Sequence, residues 1–416
     1  MKEELIKNRI RLSKMLENNS FAVIHSGYNK FKSADSVYDF FVNNNFYYLT
    51  NIDQANVILL VGNVNNHHFE KLFIESVDPE VAKWLGATLT HEEASELSGI
   101  AMQDILDINM FEKYTDSLYQ SNRYGLMEAH TVYLDLEYRD IPLYNTFGRV
   151  YAKTVRDRFP SVKIENCYNM IISLRMCKNE KEVALIKESI ATTKRAILNV
   201  MSHHNELSNE SIANAYHDFT IIKEGKTLSF NDIIASGHNA TVLHYDDNNS
   251  DILPNSLLLM DVGCYTKHYS SDITRTFPVN GKFTERQKEV YEVVLDTNKK
   301  CIEYATAGMS WKELNDYANN LLAKGLIKLG LIKDISELRK YYFHSIGHSL
   351  GLDVHDPSHA SEGLKEGMVI TIEPGLYIPE ESIGIRIEDN IMITKEKAIL
   401  LSKDIIKEVE DIENFL

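Results

Sequence analysis

Residues 256–279 read SLLLMDVGCYTKHYSSDITRTFPV and contain two strand-like segments, each with one aspartate. It begins with an unbroken apolar run, Leu257–Met260, which predicts a buried strand in which Asp261 is the only charge. A second segment begins at Asp272, where polar and apolar residues alternate as they do in a strand. A carboxylate in a buried strand is costly unless it is paired or bound to a metal ion. Both aspartates therefore need a partner.

The two aspartates are predicted to meet across an antiparallel pair of strands. If the turn is centred between Thr266 and Lys267, Asp261 lies directly opposite Asp272. Like charges in opposed positions destabilise a sheet, so this register favours a cation between the two side chains. In the alternative, one aspartate is paired with Arg275 while the other is exposed to solvent.

A second pair of carboxylates repeats the arrangement near the C-terminus. The apolar run of Met368–Gly375 ends at Glu373, and the segment Ser382–Thr394 carries Arg386 and Glu388 on one face. The loop between the two segments is short enough for a hairpin, which would bring Glu373 and Glu388 together. Arg386 would either orient a ligand, bind a substrate carboxylate through bidentate hydrogen bonds, or form a structural ion pair, and the sequence leaves these interpretations open.

Three histidines lie in one glycine-punctuated segment, HSIGHSLGLDVHD, at positions His344, His348 and His355. The first two have the four-residue spacing of a helical metal pair, but the glutamate of an HExxH motif is absent. The glycines also disfavour a helix, so we expect this segment to contribute to a site in another conformation. A further histidine, His244, follows a short apolar run and would indicate little on its own.

Length and charge limit the possible functions. At 416 residues the chain is too long for one ordinary hydrophobic core, so at least two domains are expected. The net charge of −16 argues against nucleic acid or an anionic membrane as the main partner. No apolar run approaches the length of a membrane span, and the N-terminal segment is typical of an amphipathic helix rather than a signal sequence. Four cysteines without CxxC spacing predict free thiols and a cytoplasmic protein: Cys167, Cys177, Cys264 and Cys301.

The chain is predicted to divide near residue 170. Before this point, short apolar runs alternate with helical stretches, which indicates an α/β domain at residues 1–170, followed by a second domain at residues 171–416. Residues 33–52 are dense in aromatic side chains and asparagine, and their pattern predicts a strand-rich core edge with turns. Trp84 is interpreted as a buried core residue.

Four carboxylates gathered around one imidazole would repel one another unless two divalent cations lay between them. The five residues, in chain order, are Asp261, Asp272, His348, Glu373 and Glu388. This set resembles the ligand set of the pita-bread metallopeptidases, the family of methionine aminopeptidase, prolidase and Xaa-Pro aminopeptidase. The strings HNATVLHY, HSIGHSLGLDVHD, VITIEPGLYIP and GIRIEDN are similar to the proline-directed branch. The likeness extends from about residue 171 to the C-terminus.

The front half of the chain is similar to the N-terminal domain of aminopeptidase P. Residues 33–52 carry its pattern SADSxYxF followed by NxxFYYLT, and the string DPEVAKWLG at residues 78–86 matches its strand-to-Trp segment. The chain departs from that domain at Phe41, Val42 and Asn43, where Arg-Gln is common. The resemblance implies an α/β (α+β) protein with an aminopeptidase-P-like N-terminal domain and a C-terminal pita-bread catalytic domain.

The resemblance also implies a metalloaminopeptidase that cleaves the N-terminal Xaa-Pro bond with hydroxide held by two divalent metal ions. Oxygen-rich ligation with one imidazole suits Mn(II). In this set Asp261 would chelate one metal, and Asp272 and Glu388 would bridge both. His348 and Glu373 would complete the second metal site, and Glu373 would relay the proton of the nucleophile.

The remaining implied roles concern the substrate, a peptide with proline in the second position. His244 and His355 would bind the peptide and the developing oxyanion, and His344 would help to place the proline side. Arg386 would orient the bridging Glu388. A homodimer or homotetramer is the expected assembly, in which Trp84 has a second possible role at the substrate entrance of a neighbouring subunit.

Three alternatives share this fold. A prolidase has every ligand but cuts only dipeptides, so substrate length distinguishes it. A creatinase-like hydrolase works without metals and lacks the carboxylate set that this chain retains. A non-catalytic binding module is expected to have lost ligands, and none is missing from this sequence.

Overall fold

The computed structural model describes residues 2–75, 77, 79–119, 129–138 and 145–416. It divides into two compact units, residues 1–175 and residues 176–416. Each unit contains its own cluster of buried hydrophobic side chains, as expected for a chain of this length. Within the described ranges, no helix has both the length and the apolar composition needed to cross a membrane.

The first unit is built on a mixed sheet with seven helices in the described residues. Its strands are β1 (Ser20–His25), β2 (Phe31–Ser33), β3 (Ser36–Val37), β4 (Ile58–Val64), β5 (His67–Ile74), β6 (Ile105–Asp107), β7 (Thr131–Leu134) and β8 (Lys163–Asn166). Its helices are α1 (Lys2–Met15), α2 (Asn44–Thr50), α3 (Pro79–Leu85), α4 (His91–Ser98), α5 (Phe111–Tyr119), α6 (Phe147–Arg158) and α7 (Tyr168–Arg175). Six strands form one sheet in the order β6-β5-β4-β1-β7-β8. Every residue of β1 is buried, as expected for a central strand covered on both faces.

The aromatic segment at residues 33–52 contains a buried helix where strands were predicted. Asn43 is the N-cap of α2, and its Oδ1 accepts a hydrogen bond from the N–H of Phe46 at 2.9 Å. The only strands here, β2 and β3, are short and exposed. The prediction of a strand-rich core edge is therefore wrong, because helix capping and burial of the aromatic side chains outweigh their β-propensity.

Trp84 lies in α3, and the prediction that it belongs to the core is wrong. Its side chain is 89% exposed, and Val81 on the same short helix is 44% exposed. A large apolar side chain does not establish burial unless its helix has a face that packs against a core. Asp78, the first residue of the string DPEVAKWLG, lies outside the described residues.

The second unit combines several small antiparallel sheets with five helices. Its strands are β9 (Thr227–Leu228), β10 (Ile233–Ser236), β11 (Leu257–Val262), β12 (Cys264–Thr266), β13 (Tyr269–Ser270), β14 (Ile273–Pro278), β15 (Val369–Ile372), β16 (Gly375–Ile378), β17 (Ile383–Arg386), β18 (Asp389–Met392) and β19 (Ile399–Leu400). Its helices are α8 (Glu180–Ser202), α9 (Glu210–Lys223), α10 (Glu285–Tyr304), α11 (Trp311–Lys328) and α12 (Val409–Phe415). Helices α8, α10 and α11 each begin with a capping box, which fixes where they start.

The strands of the first hairpin pair in a different register from the predicted one. In the pairing of β11 with β14, Asp261 faces Thr274, and Asp272 is displaced by two residues. The predicted direct opposition of the two aspartates is wrong because the intervening β12 leaves the ladder and pairs with β9 and β13. Gly263 marks this departure, since a Cβ there would lie 2.0 Å from Ser271 O. Residues two positions apart share a face of a strand, so the two aspartates are diagonal neighbours.

The second hairpin brings the two glutamates together as predicted. Ile372 pairs with Asp389 in β15–β18, and Gly375 pairs with Arg386 in β16–β17, so the two strand pairs share the same register. Continued through the residues between the two pairs, this register places Glu373 opposite Glu388. The backbone N–H of Glu373 donates to Ile346 O at 2.8 Å, and that of Glu388 donates to Thr274 O at 3.0 Å. The second of these bonds joins the glutamate hairpin to the aspartate hairpin.

Candidate metal centre

The predicted ligands from both hairpins and from the histidine segment meet at one place. His348 Nε2 lies 3.3 Å from Asp272 Oδ2 and 3.6 Å from Glu373 Oε1. Ligand atoms of Asp272, His348 and Glu388 all lie within 4.8 Å of one another. Asp261 is also close, since its charge acts on Asp272 and on both glutamates. The fold thus gathers four carboxylates and one imidazole from distant parts of the sequence.

The carboxylates repel one another in a buried setting. Burial raises the pKa of Asp272 well above its ordinary value, and the charges of Asp261 and Glu373 raise it further. Burial likewise raises the pKa of Glu388, with the charge of Asp272 as the next cause. Burial is also the main reason that the pKa of Glu373 is raised. Four carboxylates at this spacing can all be ionised only if cations compensate their charge.

Two oxygen atoms in the cluster have the environment expected of metal ligands. Among the described residues, Asp261 Oδ1 and Glu388 Oε1 are buried without a hydrogen-bond partner. A buried acceptor without a donor costs free energy, and a bound cation would satisfy it. A donor set of carboxylate oxygens with one imidazole is suited to divalent ions such as Mn(II). The residues present therefore fit a divalent metal centre.

His348 is held so that its Nε2 faces the carboxylates. Its Nδ1 lies 3.1 Å from Ser349 O, and because a carbonyl only accepts hydrogen bonds, Nδ1 carries the proton. The lone pair on Nε2 is then available to a metal. The backbone N–H of His348 donates to Thr371 Oγ1 at 3.0 Å. Gly347 permits this close approach, since a Cβ there would lie 2.0 Å from Thr371 O. The histidine segment is not helical, as predicted.

Arg386 connects the two hairpins from a buried position. Its Nη2 lies 2.7 Å from Asp261 Oδ2, and its Nε donates to Thr274 Oγ1 at 3.0 Å. Thr274 Oγ1 in turn donates to Glu388 Oε2 at 2.7 Å. Arg386 therefore forms a direct ion pair with Asp261 and reaches Glu388 through the Thr274 hydroxyl. The structure shows the ion pair that the sequence left as one alternative, and orientation of a ligand by Arg386 stays a prediction.

His344 lies at the edge of the cluster, where its surroundings favour the neutral imidazole. Its Nδ1 lies 2.8 Å from Ser345 O and 3.7 Å from Glu373 Oε2, and its Nε2 lies 2.9 Å from Tyr377 OH. Burial lowers the pKa of His344 to about 3, and the charge of Arg386 contributes. His344 is therefore neutral near pH 7, with Nδ1 protonated and Nε2 accepting from the tyrosine hydroxyl.

The other two predicted histidines lie on the exposed side of the centre. The ring of His355 packs against that of His348 with centroids 4.0 Å apart. Burial lowers the pKa of His355 to about 4, and the charge of His348 lowers it as well. His244 is exposed, and its charge is near enough to lower the pKa of both His344 and His355. The structure thus places all three predicted substrate-binding histidines around the carboxylate cluster.

Two residues of the centre were not identified from the sequence. Thr274 bonds both Arg386 and Glu388, and Tyr377 OH lies 2.9 Å from Arg386 Nη1 as well as from His344. The position of Thr274, two residues after Asp272 on the same strand face, is a signal that could have identified it. Tyr377 offered no comparable signal, because a tyrosine in a strand is most often a core residue.

A second group of ligand-type side chains lies outside this centre. His217 Nδ1 lies 2.6 Å from Asp232 Oδ2 and 3.4 Å from Asp218 Oδ1. Burial alone would lower the pKa of His217, but hydrogen bonds to and charges of the two aspartates outweigh it and raise this pKa to about 9. The imidazolium therefore balances the buried carboxylate of Asp232.

Comparisons with known proteins agree with this arrangement. The model of Metallopeptidase family M24 matches residues 184–395, and the model of the aminopeptidase P N-terminal domain matches residues 5–126. The chain is 31% identical over 436 residues to Xaa-Pro aminopeptidase of Haemophilus influenzae, and the alignment covers 100% of this chain and 97% of the relative.

Solved structures extend the similarity to the whole fold. A candidate aminopeptidase P from Bacillus anthracis matches with a TM-score of 0.96 at 44% identity, covering 100% of this chain and 98% of that one. Zn-substituted E. coli aminopeptidase P in complex with product matches with a TM-score of 0.89 at 29% identity, with coverage of 100% and 98%. The chain therefore belongs to metallopeptidase family M24, with an aminopeptidase P N-terminal domain preceding a pita-bread domain.

Proposed function

We propose that this protein is an Xaa-Pro aminopeptidase, which removes the N-terminal residue from peptides with proline in the second position. The observation that carries the proposal is the convergence of four carboxylates and one imidazole in a chain that also has an aminopeptidase P N-terminal domain. We assign residues 1–170 to the N-terminal domain and residues 171–416 to the catalytic domain.

The metal centre would hold two divalent ions, and its donor set suits Mn(II). The ligands would be Asp261 for one ion, His348 and Glu373 for the other, and Asp272 and Glu388 for both. When bound, the ions supply an activated water and polarise the scissile carbonyl. Arg386 keeps Asp261 in place through their ion pair and limits the rotation of Glu388 through Thr274.

Glu373 is the residue best placed to move protons. Its Oε1 lies 3.6 Å from His348 Nε2, and its Oε2 lies 3.7 Å from His344 Nδ1, so its carboxylate faces both the ligand cluster and the substrate side. A carboxylate in this position can take the proton of the nucleophile and pass it to the leaving nitrogen. His244 and His355 bind the peptide and the developing oxyanion, and the neutral His344 helps to place the proline side.

Proline gives a physical reason for a dedicated enzyme. The bond before proline has no amide N–H, and the ring fixes φ, so peptidase subsites that bind an extended backbone through its N–H groups fail on it. A site that holds the ring and attracts the free α-amino group to the acidic cluster cleaves one residue from the N-terminus.

The test of this proposal compares peptides of different length. Purified protein loaded with Mn(II) is expected to release arginine from Arg-Pro-Pro and to cleave longer Xaa-Pro peptides. Ala-Pro is the control substrate, because a prolidase of the same family would cleave this dipeptide and leave the tripeptide intact. Folded, metal-loaded protein that releases no arginine would contradict the proposed activity.

We further propose a homodimer or homotetramer that acts in the cytoplasm. Trp84 and Phe31, in the first unit, are 89% and 77% exposed, and Trp84 is the residue at which we test the assembly. The four cysteines are free thiols, which is typical of a reducing compartment. Light scattering should give a mass that is a multiple of 47.7 kDa, and Trp84→Ala should weaken the assembly. A wild-type monomer at assay concentrations would contradict this part of the proposal.

A further inference from the structure

The hairpin that carries both glutamates lacks a backbone donor at its centre. Ile387 N–H donates to Pro374 O at 3.2 Å across the hairpin. In an antiparallel ladder the opposite residue would return a hydrogen bond to Ile387 O, but proline has no N–H. The carbonyl next to Glu388 is therefore left without its usual partner. A buried carbonyl in this position requires a donor from elsewhere.

Asn298 supplies that donor from helix α10. Its Nδ2 donates to Ile387 O at 3.2 Å and to Ile372 O at 3.0 Å. These two carbonyls belong to the residues immediately before Glu388 and Glu373. One side-chain amide therefore spans the gap in the sheet at the point where the two glutamates face each other. The side chain is completely buried, so water does not compete for these bonds.

The orientation of the Asn298 amide is fixed from its other end. Lys407 Nζ lies 2.7 Å from Asn298 Oδ1 and 2.6 Å from Asp389 Oδ2. Because an ammonium group only donates, the amide oxygen must face Lys407 and the amide nitrogen must face the two carbonyls. Asp389 also pairs with Arg275, whose Nη1 donates to Glu388 O at 2.6 Å. A continuous buried network therefore holds the backbone around both glutamates.

We propose that Asn298 is a positioning residue for the metal centre, which keeps Glu373 and Glu388 at the separation that two divalent ions require. It touches neither substrate nor ligand atoms and acts through the backbone of the residues before each glutamate. This proposal rests on the proposed metal centre and assigns a function to a residue outside the ligand set. Residues that orient metal ligands commonly affect metal affinity by about 10–100-fold.

Two substitutions at Asn298 separate positioning from packing. Asn298→Leu keeps a side chain of similar size but removes both the donor to the carbonyls and the acceptor for Lys407. Asn298→Asp keeps an acceptor for Lys407, but it removes the donor and turns a buried carboxylate oxygen toward the two carbonyls. Thr297→Val is the matched control, because Thr297 is equally buried on α10 but bonds only Val293 O in its own helix, at 2.8 Å.

The measurement is calorimetric titration of the metal-free proteins with Mn(II), with thermal melts to establish that each variant is folded. Both Asn298 variants are expected to bind the weaker of the two ions about 10–100-fold less tightly, and Thr297→Val is expected to bind as the wild type does. Both Asn298 variants are expected to melt at a lower temperature than the wild type, because each leaves the two buried carbonyls without their donor.

Two results would overturn the positioning role. One is wild-type Mn(II) affinity in folded Asn298→Leu, and the other is an equal loss of affinity in Thr297→Val. Wild-type protein that binds no Mn(II) would instead refute the metal centre itself, so the two failures are distinguishable.

Discussion

Replacing Glu373 with glutamine is expected to lower kcat for Arg-Pro-Pro by at least about 10²–10⁴-fold, the range that a general acid–base group contributes. The loss follows from two functions of one carboxylate. Glutamine cannot accept the proton of the nucleophile, and its amide is a poorer metal ligand than a carboxylate. The fold should be retained, because Glu373 is only partly buried and its backbone bond to Ile346 O does not depend on the side chain.

The control for this variant is the same substitution in the same part of the chain. Glu366 precedes β15, and its side chain is 55% exposed beside Lys395. Glu366→Gln should have wild-type kcat and wild-type Mn(II) binding. Circular dichroism melts of both variants would establish that they are folded. Near-normal turnover in Glu373→Gln would remove this residue from its assigned role.

Asp272→Asn is expected to have opposite effects on the metal-free and the metal-loaded protein. Without metal, the raised pKa of Asp272 costs stability at pH 7, because the carboxyl group ionises freely only in the unfolded chain. Asparagine removes this cost, so the free energy of unfolding should rise by at least about 1 kcal/mol. With metal, the substitution removes the ligand that, in the proposed centre, both ions would share. Affinity for Mn(II) should therefore fall by more than about 100-fold, beyond the loss typical of an indirect contact.

Asp356→Asn provides the contrast, because its carboxylate already has a cation. Lys178 Nζ lies 2.9 Å from Asp356 Oδ2, and both side chains are almost fully buried. Breaking this pair should lower the free energy of unfolding by about 3–5 kcal/mol whether or not metal is present. Denaturant unfolding of the wild type and both variants, each with and without Mn(II), gives the six free energies of unfolding that are compared. If metal-free Asp272→Asn were less stable than the wild type, carboxylate repulsion could not be the organising feature of the site.

The glutamate hairpin could be predicted because the residues that determine its pairing are close together in the sequence. A short loop and a period of two residues were enough to place Glu373 opposite Glu388. The aspartate hairpin could not be predicted to the residue, because β12 pairs with β9, and this non-local pairing shifts Asp272 away from direct opposition to Asp261. The face of the strand was predictable, whereas the register was not.

The contacts of the supporting residues could not be predicted from the sequence for a related reason. Thr274, Tyr377 and Asn298 act through contacts with residues that are 9 to 114 positions away along the chain. Each has an ordinary role in its own segment, as a strand or helix residue, and only the tertiary fold reveals its partner. Trp84 was predicted to be buried because its side chain is large and apolar, but its short helix leaves it exposed.

In the proposed centre, the carboxylates of two hairpins and one histidine hold a pair of divalent ions. The most direct test is to count the metal ions in the purified protein, remove them by dialysis against a strong chelator, and add Mn(II) back. We predict two ions per chain at full occupancy, loss of Xaa-Pro hydrolysis after dialysis, and its recovery with Mn(II). Full activity in the presence of the chelator, with no metal bound, would contradict a metal-dependent mechanism.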